Sequence, residues 1–198
     1  MLDTVPLLNR LLDVIENDIA PMTRREVGRG NKIFGAAILK KSDLSLVIAE
    51  TNNEVENPLW HGEMHAIKRL YERDRASLPA PRDCIFLATH EPCSLCLSAI
   101  TWGGYDNFYY LFSHEDSRDS FAIPHDLRIL KEVFTLDPGG YNATNVYWHS
   151  HNILRLIASL DRGSREALLQ RTDDITALYG DLSAAYQAGK GHAGIPLD

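Results

Sequence analysis

Two short stretches decide the fold of this chain, His61-Gly62-Glu63 and Glu91-Pro92-Cys93-Ser94-Leu95-Cys96. They carry residue types that bind metals, because zinc is held in proteins by imidazole nitrogen and thiolate sulfur. His61, Cys93 and Cys96 would fill three of the four zinc positions, and a catalytic zinc keeps the fourth for water. Glu63 would then stand beside that fourth position without being a ligand.

A closed structural zinc site is the alternative interpretation of the same residues. It requires a fourth protein ligand, for which His65 and His90 are the candidates. In such a site Glu63 would have no role.

The sequence around the two stretches predicts a helix after each of them. Apolar residues at helical spacing predict a first helix over residues 61–73, and the apolar run at residues 84–88 predicts a buried strand. Pro92 begins a second helix, which the Gly103-Gly104 pair ends. Cys93 and Cys96 are three residues apart, so they share one face near the start of that helix.

Alternating strands and helices over the rest of the chain predict a layered α/β domain. The further expected elements are a helix over residues 5–19 ending near Pro21, a hairpin of strands 32–40 and 44–49, a strand at 106–112, a polar loop at 113–117, a short helix near 127–134, a turn at 138–140, a fifth strand at 145–148, and helices from residue 153.

Composition excludes some classes of function. Three cysteines argue against a disulfide framework, and charged residues among the first twenty argue against a signal peptide, so a cytoplasmic location is expected. No stretch predicts a membrane span. The formal net charge of -7 argues against a nucleic-acid partner, because such proteins usually carry a basic surface.

The H-x-E and P-C-x-x-C pattern resembles the cytidine-deaminase-like superfamily of zinc-dependent deaminases. The resemblance implies an α/β, three-layer α-β-α fold with a mixed five-stranded sheet, plus a C-terminal helical extension. We therefore expect a zinc-dependent deaminase domain at residues 1–150 and the extension at residues 151–198. It also implies one Zn²⁺ per chain and a homodimer.

The resemblance further implies that Glu63 is the catalytic acid and base, and that a nucleobase or nucleoside is the substrate. The candidate substrate contacts are Phe34, Asn53 with Asn52 as the alternative, Trp60, Glu91 and Trp102. Relatives usually carry a small residue at position 60, so Trp60 would either narrow the mouth of the pocket or pack at a subunit contact. The motif from Glu91 to Ile100 resembles the tRNA adenosine deaminase and guanine deaminase branches most. Trp102 and residues 110–116 resemble guanine deaminases, so guanine or a related amino-purine is favoured. Such enzymes read guanine with an aspartate after the fourth strand, for which Asp119 and Asp126 are the nearest candidates.

Three other functions remain open at this point. A tRNA adenosine deaminase would need a basic groove, for which the Arg24, Arg25 and Arg29 cluster is the one candidate. A cytosine or cytidine deaminase would use the same zinc and glutamate. A silent deaminase-fold subunit would act as a binding partner only, and the presence of Glu63 beside three ligands argues against it.

Overall fold

The computed structural model describes residues 4–135 and 140–197, and its centre is a five-stranded sheet of order β2-β1-β3-β4-β5. The strands are β1 Gly35–Lys40, β2 Leu46–Thr51, β3 Cys84–His90, β4 Asn107–Phe112 and β5 His149–Asn152. Strand β1 is antiparallel to both β2 and β3, whereas β3, β4 and β5 are parallel. The expected mixed five-stranded sheet is therefore confirmed.

Helices cover both faces of this sheet and make the fold three-layered. In the described ranges they are α1 Thr4–Val14, α2 Ala20–Val27, α3 Gly62–Tyr71, α4 Ser94–Trp102, α5 His114–Asp119, α6 His125–Glu132, α7 Ile153–Ala158 and α8 Arg162–Gly189. One apolar core joins the sheet to α1, α2, α7 and α8, and includes Leu12, Ile157 and Ile175. A second joins it to α3 and α4 and includes Ala66 and Ile100. The α-β-α class is thus confirmed.

The first helical segment is longer than the sequence predicted. Instead of ending near Pro21, the chain passes through a π-helical turn, Ile15–Ile19, and continues as α2 to Val27. In this turn the amide of Ala20 donates to the carbonyl of Ile15, so Pro21 falls in the first turn of α2. The helical segment therefore passes a proline without ending, although proline has no N–H to donate.

Two elements after β4 also differ from expectation. The predicted polar loop at 113–117 is the start of α5, because the side chains of Ser113 and Asp116 cap the helix reciprocally. The fifth strand is β5 rather than residues 145–148, since the polar residues 149–152 pair with β4 at the edge of the sheet. The predicted turn at 138–140 lies largely outside the described residues.

The chain after residue 150 packs on the same body as the chain before it. Strand β5 spans that position, so the predicted domain boundary falls within a strand of the sheet. In α8, the guanidinium of Arg171 donates to Asp13 and Glu16 at 2.6 Å each. The division at residue 150 stays a prediction from sequence. In the described part of the chain, no helix combines the length and the apolar character needed to cross a bilayer.

The direction of the strands determines where the site can form. Strands β2 and β3 run the same way on either side of β1, so their carboxyl ends lie at one edge of the sheet. Helix α3 follows β2 and helix α4 follows β3, so both begin near that edge. In open α/β sheets, ligands bind in crevices outside the carboxyl ends of the strands.

Two glycines let α3 begin directly against β1. A Cβ atom added to Gly62 would lie 2.7 Å from the Cα atom of Gly35 and 2.9 Å from its carbonyl carbon. Both are closer than real Cβ atoms approach other heavy atoms, and backbone atoms of a central strand cannot move aside easily. The contact therefore exists only because residue 62 carries no side chain.

Gly62→Ala is expected to lower the free energy of unfolding by about 1–3 kcal/mol, because a methyl group is forced into packed backbone. Urea unfolding followed by circular dichroism measures this. The matched control is Gly180→Ala on the exposed face of α8, where nothing lies within 4 Å. That change should stabilise the protein by about 0.5–1 kcal/mol. Unfolding of Gly62→Ala at the wild-type urea concentration would contradict the close contact.

Candidate metal centre

Three side chains predicted to bind metal come together in the folded chain. The ligand atoms of His61, Cys93 and Cys96 all lie within 4.8 Å of one another. The Nδ1 atom of His61 is 3.4 Å from the sulfur of Cys93 and 3.8 Å from that of Cys96. Among the described residues, no fourth histidine, cysteine or carboxylate belongs to this group.

The two candidates for a fourth ligand have other surroundings. The Nδ1 atom of His65 is 2.9 Å from the carbonyl oxygen of Thr51, and its ring stacks on Trp60. The ring of His90 is packed among four aromatic rings, including those of Phe112 and Phe121. The closed structural site proposed as the alternative is therefore not formed by either histidine.

Both metal-binding stretches are placed by the start of a helix. His61 and Cys93 are the N-cap residues of α3 and α4, with extended backbones at ψ 161° and 172°. Their side chains can therefore turn toward each other in a way that a helical backbone would not allow. Cys96 follows one turn into α4, where burial and then the hydrogen bond and charge of Cys93 raise the pKa of its thiol.

The groups around His61 favour a positive charge on its imidazole. Burial alone would lower the pKa of His61, but the hydrogen bond and charge of Cys93 and the charges of Glu63 and Glu54 raise it to about 9. A hydrogen bond from Cys96 holds the pKa of the Cys93 thiol well below its usual range. One imidazole and two sulfurs, one of them readily ionised, are a donor set that fits Zn²⁺.

Glu63 lies beside the three ligands, as the sequence predicted. Its side chain is buried, and the thiol of Cys96 donates to its Oε2 atom at 3.3 Å. Burial raises the pKa of Glu63 to about 7, and the charge of Cys93 adds to this effect. A carboxyl group with a pKa near neutrality can both accept and return a proton under ordinary conditions.

A cavity of about 340 Å³ opens next to His61 and Cys93. Much of its wall is apolar and comes from Phe34, Leu59 and Ile129. The C-terminal residues 195–197 return from the end of α8 and line it as well. An apolar cavity with a few polar groups is the usual form of a small-molecule site.

Two polar side chains at the start of α6 face this cavity, His125 and Asp126. Burial raises the pKa of Asp126 to about 6, and the charge of Cys93 contributes further. Asp119, the other candidate for a base-reading aspartate, is exposed and forms an ion pair with Arg118. Of the two candidates, the structure brings Asp126 to the cavity.

The other predicted substrate contacts are divided between the cavity and other places. Phe34 lines the cavity, as predicted. The amide of Asn53 instead donates to the exposed Glu56 at 2.7 Å. Trp60 packs on the outer side of α3, where its ring stacks on His65 and Lys68 lies 4.5 Å from its centroid.

Glu91 and Trp102 also lie away from the main cavity. The carboxylate of Glu91 accepts hydrogen bonds from the Tyr141 hydroxyl and the His114 amide, which anchor the start of α5. It borders a space of about 10 Å³ that Glu63 and His90 also line. Trp102 ends α4 with 91% of its surface exposed, so the chain's own cavity does not include it.

A buried polar cluster beside His61 was not predicted from the sequence as part of the site, although two of its members, Lys32 and Glu54, line the cavity. It consists of Lys32, Asn52 and Glu54, each at most 5% exposed. The Lys32 ammonium donates to Glu54 at 2.8 Å, and the Asn52 amide donates to Glu54 at 2.7 Å. The one sequence signal was the Asn52-Asn53 pair, of which Asn53 was preferred, whereas Asn52 is the buried member.

Comparison with known families supports the metal centre. The model of the cytidine and deoxycytidylate deaminase zinc-binding region matches residues 17–112. That range contains the three ligands and Glu63 and ends at the last residue of β4.

Among curated proteins, the guanine deaminase of Bacillus subtilis (strain 168) is 33% identical over 109 residues. The match covers 50% of this chain and 62% of that enzyme, which is less than two thirds of its length. The X-ray structure of the guanine deaminase from Bacillus subtilis is 26% identical with a TM-score of 0.50, covering 67% of this chain and 84% of that one. A guanine deaminase structure from Nitrosomonas europaea is 19% identical with a TM-score of 0.46, covering 80% and 81%.

Cys96→Ser should weaken zinc binding by more than about 100-fold, because even residues that only support zinc ligands account for about 10- to 100-fold in affinity. Competition with a chromogenic chelator measures the affinity, and metal analysis gives the zinc content per chain. The control is Cys84→Ala, since that buried thiol lies on β3 outside the ligand group. Equal zinc binding in Cys96→Ser and wild type would remove Cys96 from the site.

Proposed function

We propose that the chain is a hydrolytic nucleobase deaminase, because the model of the cytidine and deoxycytidylate deaminase zinc-binding region matches residues 17–112. The observation that carries this proposal is the position of Glu63. Its carboxylate is buried beside Cys96 and next to a one-imidazole, two-sulfur ligand set with an adjoining cavity. A structural zinc site does not require a buried carboxylate that is not a ligand.

A zinc ion held by His61, Cys93 and Cys96 would supply hydroxide at neutral pH, because zinc binding lowers the pKa of water to about 7. Glu63 accepts the proton that water gives up and delivers it to the ring nitrogen next to the reacting carbon. The proton of the added hydroxyl group then passes through Glu63 to the exocyclic amine. The water oxygen forms a bond to the carbon, the carbon–nitrogen bond breaks, and ammonia leaves.

Guanine or a related amino-purine is the substrate that the cavity suits best. Asp126 offers a carboxylate in a largely apolar space, and a carboxylate accepts paired N–H groups. Guanine presents such a pair at its ring N–H and its exocyclic amine, whereas adenine and cytosine present acceptor atoms beside their amines. The similarity to the guanine deaminase of Bacillus subtilis supports the same substrate.

The proposal extends to location and assembly. The three thiols of the chain form no disulfide, which suits the reducing cytoplasm. A homodimer is part of the proposal, and it would cover exposed apolar side chains such as Trp102 and Val146, which are 91% and 92% exposed.

Glu63→Gln should keep its zinc but lower kcat for guanine by about 10²- to 10⁴-fold, because an amide can neither accept nor return the proton. Ammonia release measures turnover, and metal analysis confirms the zinc content. Glu72→Gln, an exposed change just past the other end of α3, serves as the control and should leave both values unchanged. Retained turnover in Glu63→Gln would exclude Glu63 from the reaction.

Asp126→Asn should lower kcat/KM for guanine by about 10- to 150-fold, the cost of losing a hydrogen bond to a charged group. Wild type and variant are tested on guanine, adenine, cytosine, their nucleosides and a tRNA anticodon stem-loop. We expect guanine to be the best substrate of wild type and Asp119→Asn to behave as wild type. Preference for adenosine in the stem-loop or for cytosine would overturn the choice of substrate, and no turnover of any of them would overturn the enzyme itself.

A further inference from the structure

We infer that Glu54 is a positioning residue that orients His61 for metal binding, with Lys32 balancing its charge and Asn52 fixing its direction. The inference rests on the metal site that the proposed function uses, but not on any particular substrate.

The contacts of Glu54 place it between the imidazole and two further buried side chains. Its Oε1 atom is 2.8 Å from the Lys32 ammonium and 3.7 Å from Nε2 of His61. Its Oε2 atom accepts the amide of Asn52 at 2.7 Å. The Glu54 carboxylate therefore has both oxygens engaged and faces the far edge of the imidazole.

The two nitrogens of His61 face different partners. Nδ1 is the atom near the sulfurs of Cys93 and Cys96, while Nε2 faces the Glu54 carboxylate. A neutral imidazole carries one proton, and the partner of one nitrogen decides where that proton lies. The carboxylate is 3.7 Å from Nε2, which is longer than a hydrogen bond, but its charge favours the proton on that nitrogen and so leaves the lone pair of Nδ1 directed at the sulfurs.

Asn52 ties the same carboxylate to the start of α3. Its Oδ1 atom accepts the backbone amide of Gly62 at 2.5 Å, and its Nδ2 atom donates to Glu54. The residue that orients Glu54 therefore also holds the amide next to His61 in the chain. Hydrogen bonds through Asn52 therefore link the Glu54 carboxylate to the start of α3, next to the ligand His61. In other metal sites too, the partners of a metal-binding histidine set its orientation.

Glu54 also forms an ion pair with Lys32, so its role in orienting His61 must be distinguished from that of an ordinary buried ion pair. Removing one partner of such a pair leaves an unpaired buried charge, whereas neutralising both partners usually costs little stability. Three variants are therefore needed: Glu54→Gln, Lys32→Met and the double variant. Glu56→Gln is the control, because that exposed glutamate is two residues away and outside the cluster.

Zinc affinity is measured by chelator competition at constant pH, and stability by urea unfolding without zinc. We expect both single variants to lose stability and the double variant to regain it. Zinc affinity should stay about 10- to 100-fold below wild type in Glu54→Gln and in the double variant, because neither holds the imidazole. The visible spectrum of bound Co²⁺ should also shift in the double variant, since its imidazole is free to rotate.

Wild-type zinc affinity in the double variant, together with an unchanged Co²⁺ spectrum, would overturn the inference and leave Lys32 and Glu54 as a structural pair only. None of these measurements involves a substrate. Failure of the enzyme to act on guanine would therefore leave the role of Glu54 intact, and loss of that role would leave the deaminase proposal to its own tests.

Discussion

The site depends on the close approach of helix α3 to strand β1. Gly35 and Gly62 meet with no room for a Cβ atom, so the first turn of α3 rests on the first residue of β1. This contact places His61, the residue before Gly62, at the edge where β3 delivers Cys93 to α4. A larger residue at position 62 would push the histidine away from the sulfurs.

The metal centre could be predicted from sequence because its signals are local. Three ligands and Glu63 lie within two short stretches, and each stretch starts a helix whose apolar spacing is clear. The sheet was predicted for a similar reason, since its inner strands are short apolar runs. The edge strand β5 was misplaced because its residues, His149 to Asn152, are polar and its pairing with β4 is visible only in the fold.

The rest of the site depends on contacts between distant parts of the chain. Lys32 and Glu54 are 22 residues apart, and a charged side chain in sequence is usually exposed, so nothing local indicates that both are buried. Asp126 reaches the cavity rather than Asp119 because α5 ends at Asp119 and α6 begins again at His125. The return of residues 195–197 to the cavity follows from the packing of α8, which spacing alone does not define.

Acidic groups are concentrated where the carboxyl ends of β2 and β3 lie. The pKa values of Glu63 and Asp126 are raised by burial and then by the charge of Cys93, and that same charge raises the pKa of His61 against the effect of burial. The raised pKa values mean that added positive charge is favourable at Glu63, Asp126 and His61. A divalent cation supplies such charge and displaces protons from its ligands. Lys32 balances the carboxylate that faces Nε2 of His61. The imidazole therefore has the Lys32–Glu54 ion pair at Nε2 and the sulfurs of Cys93 and Cys96 at Nδ1.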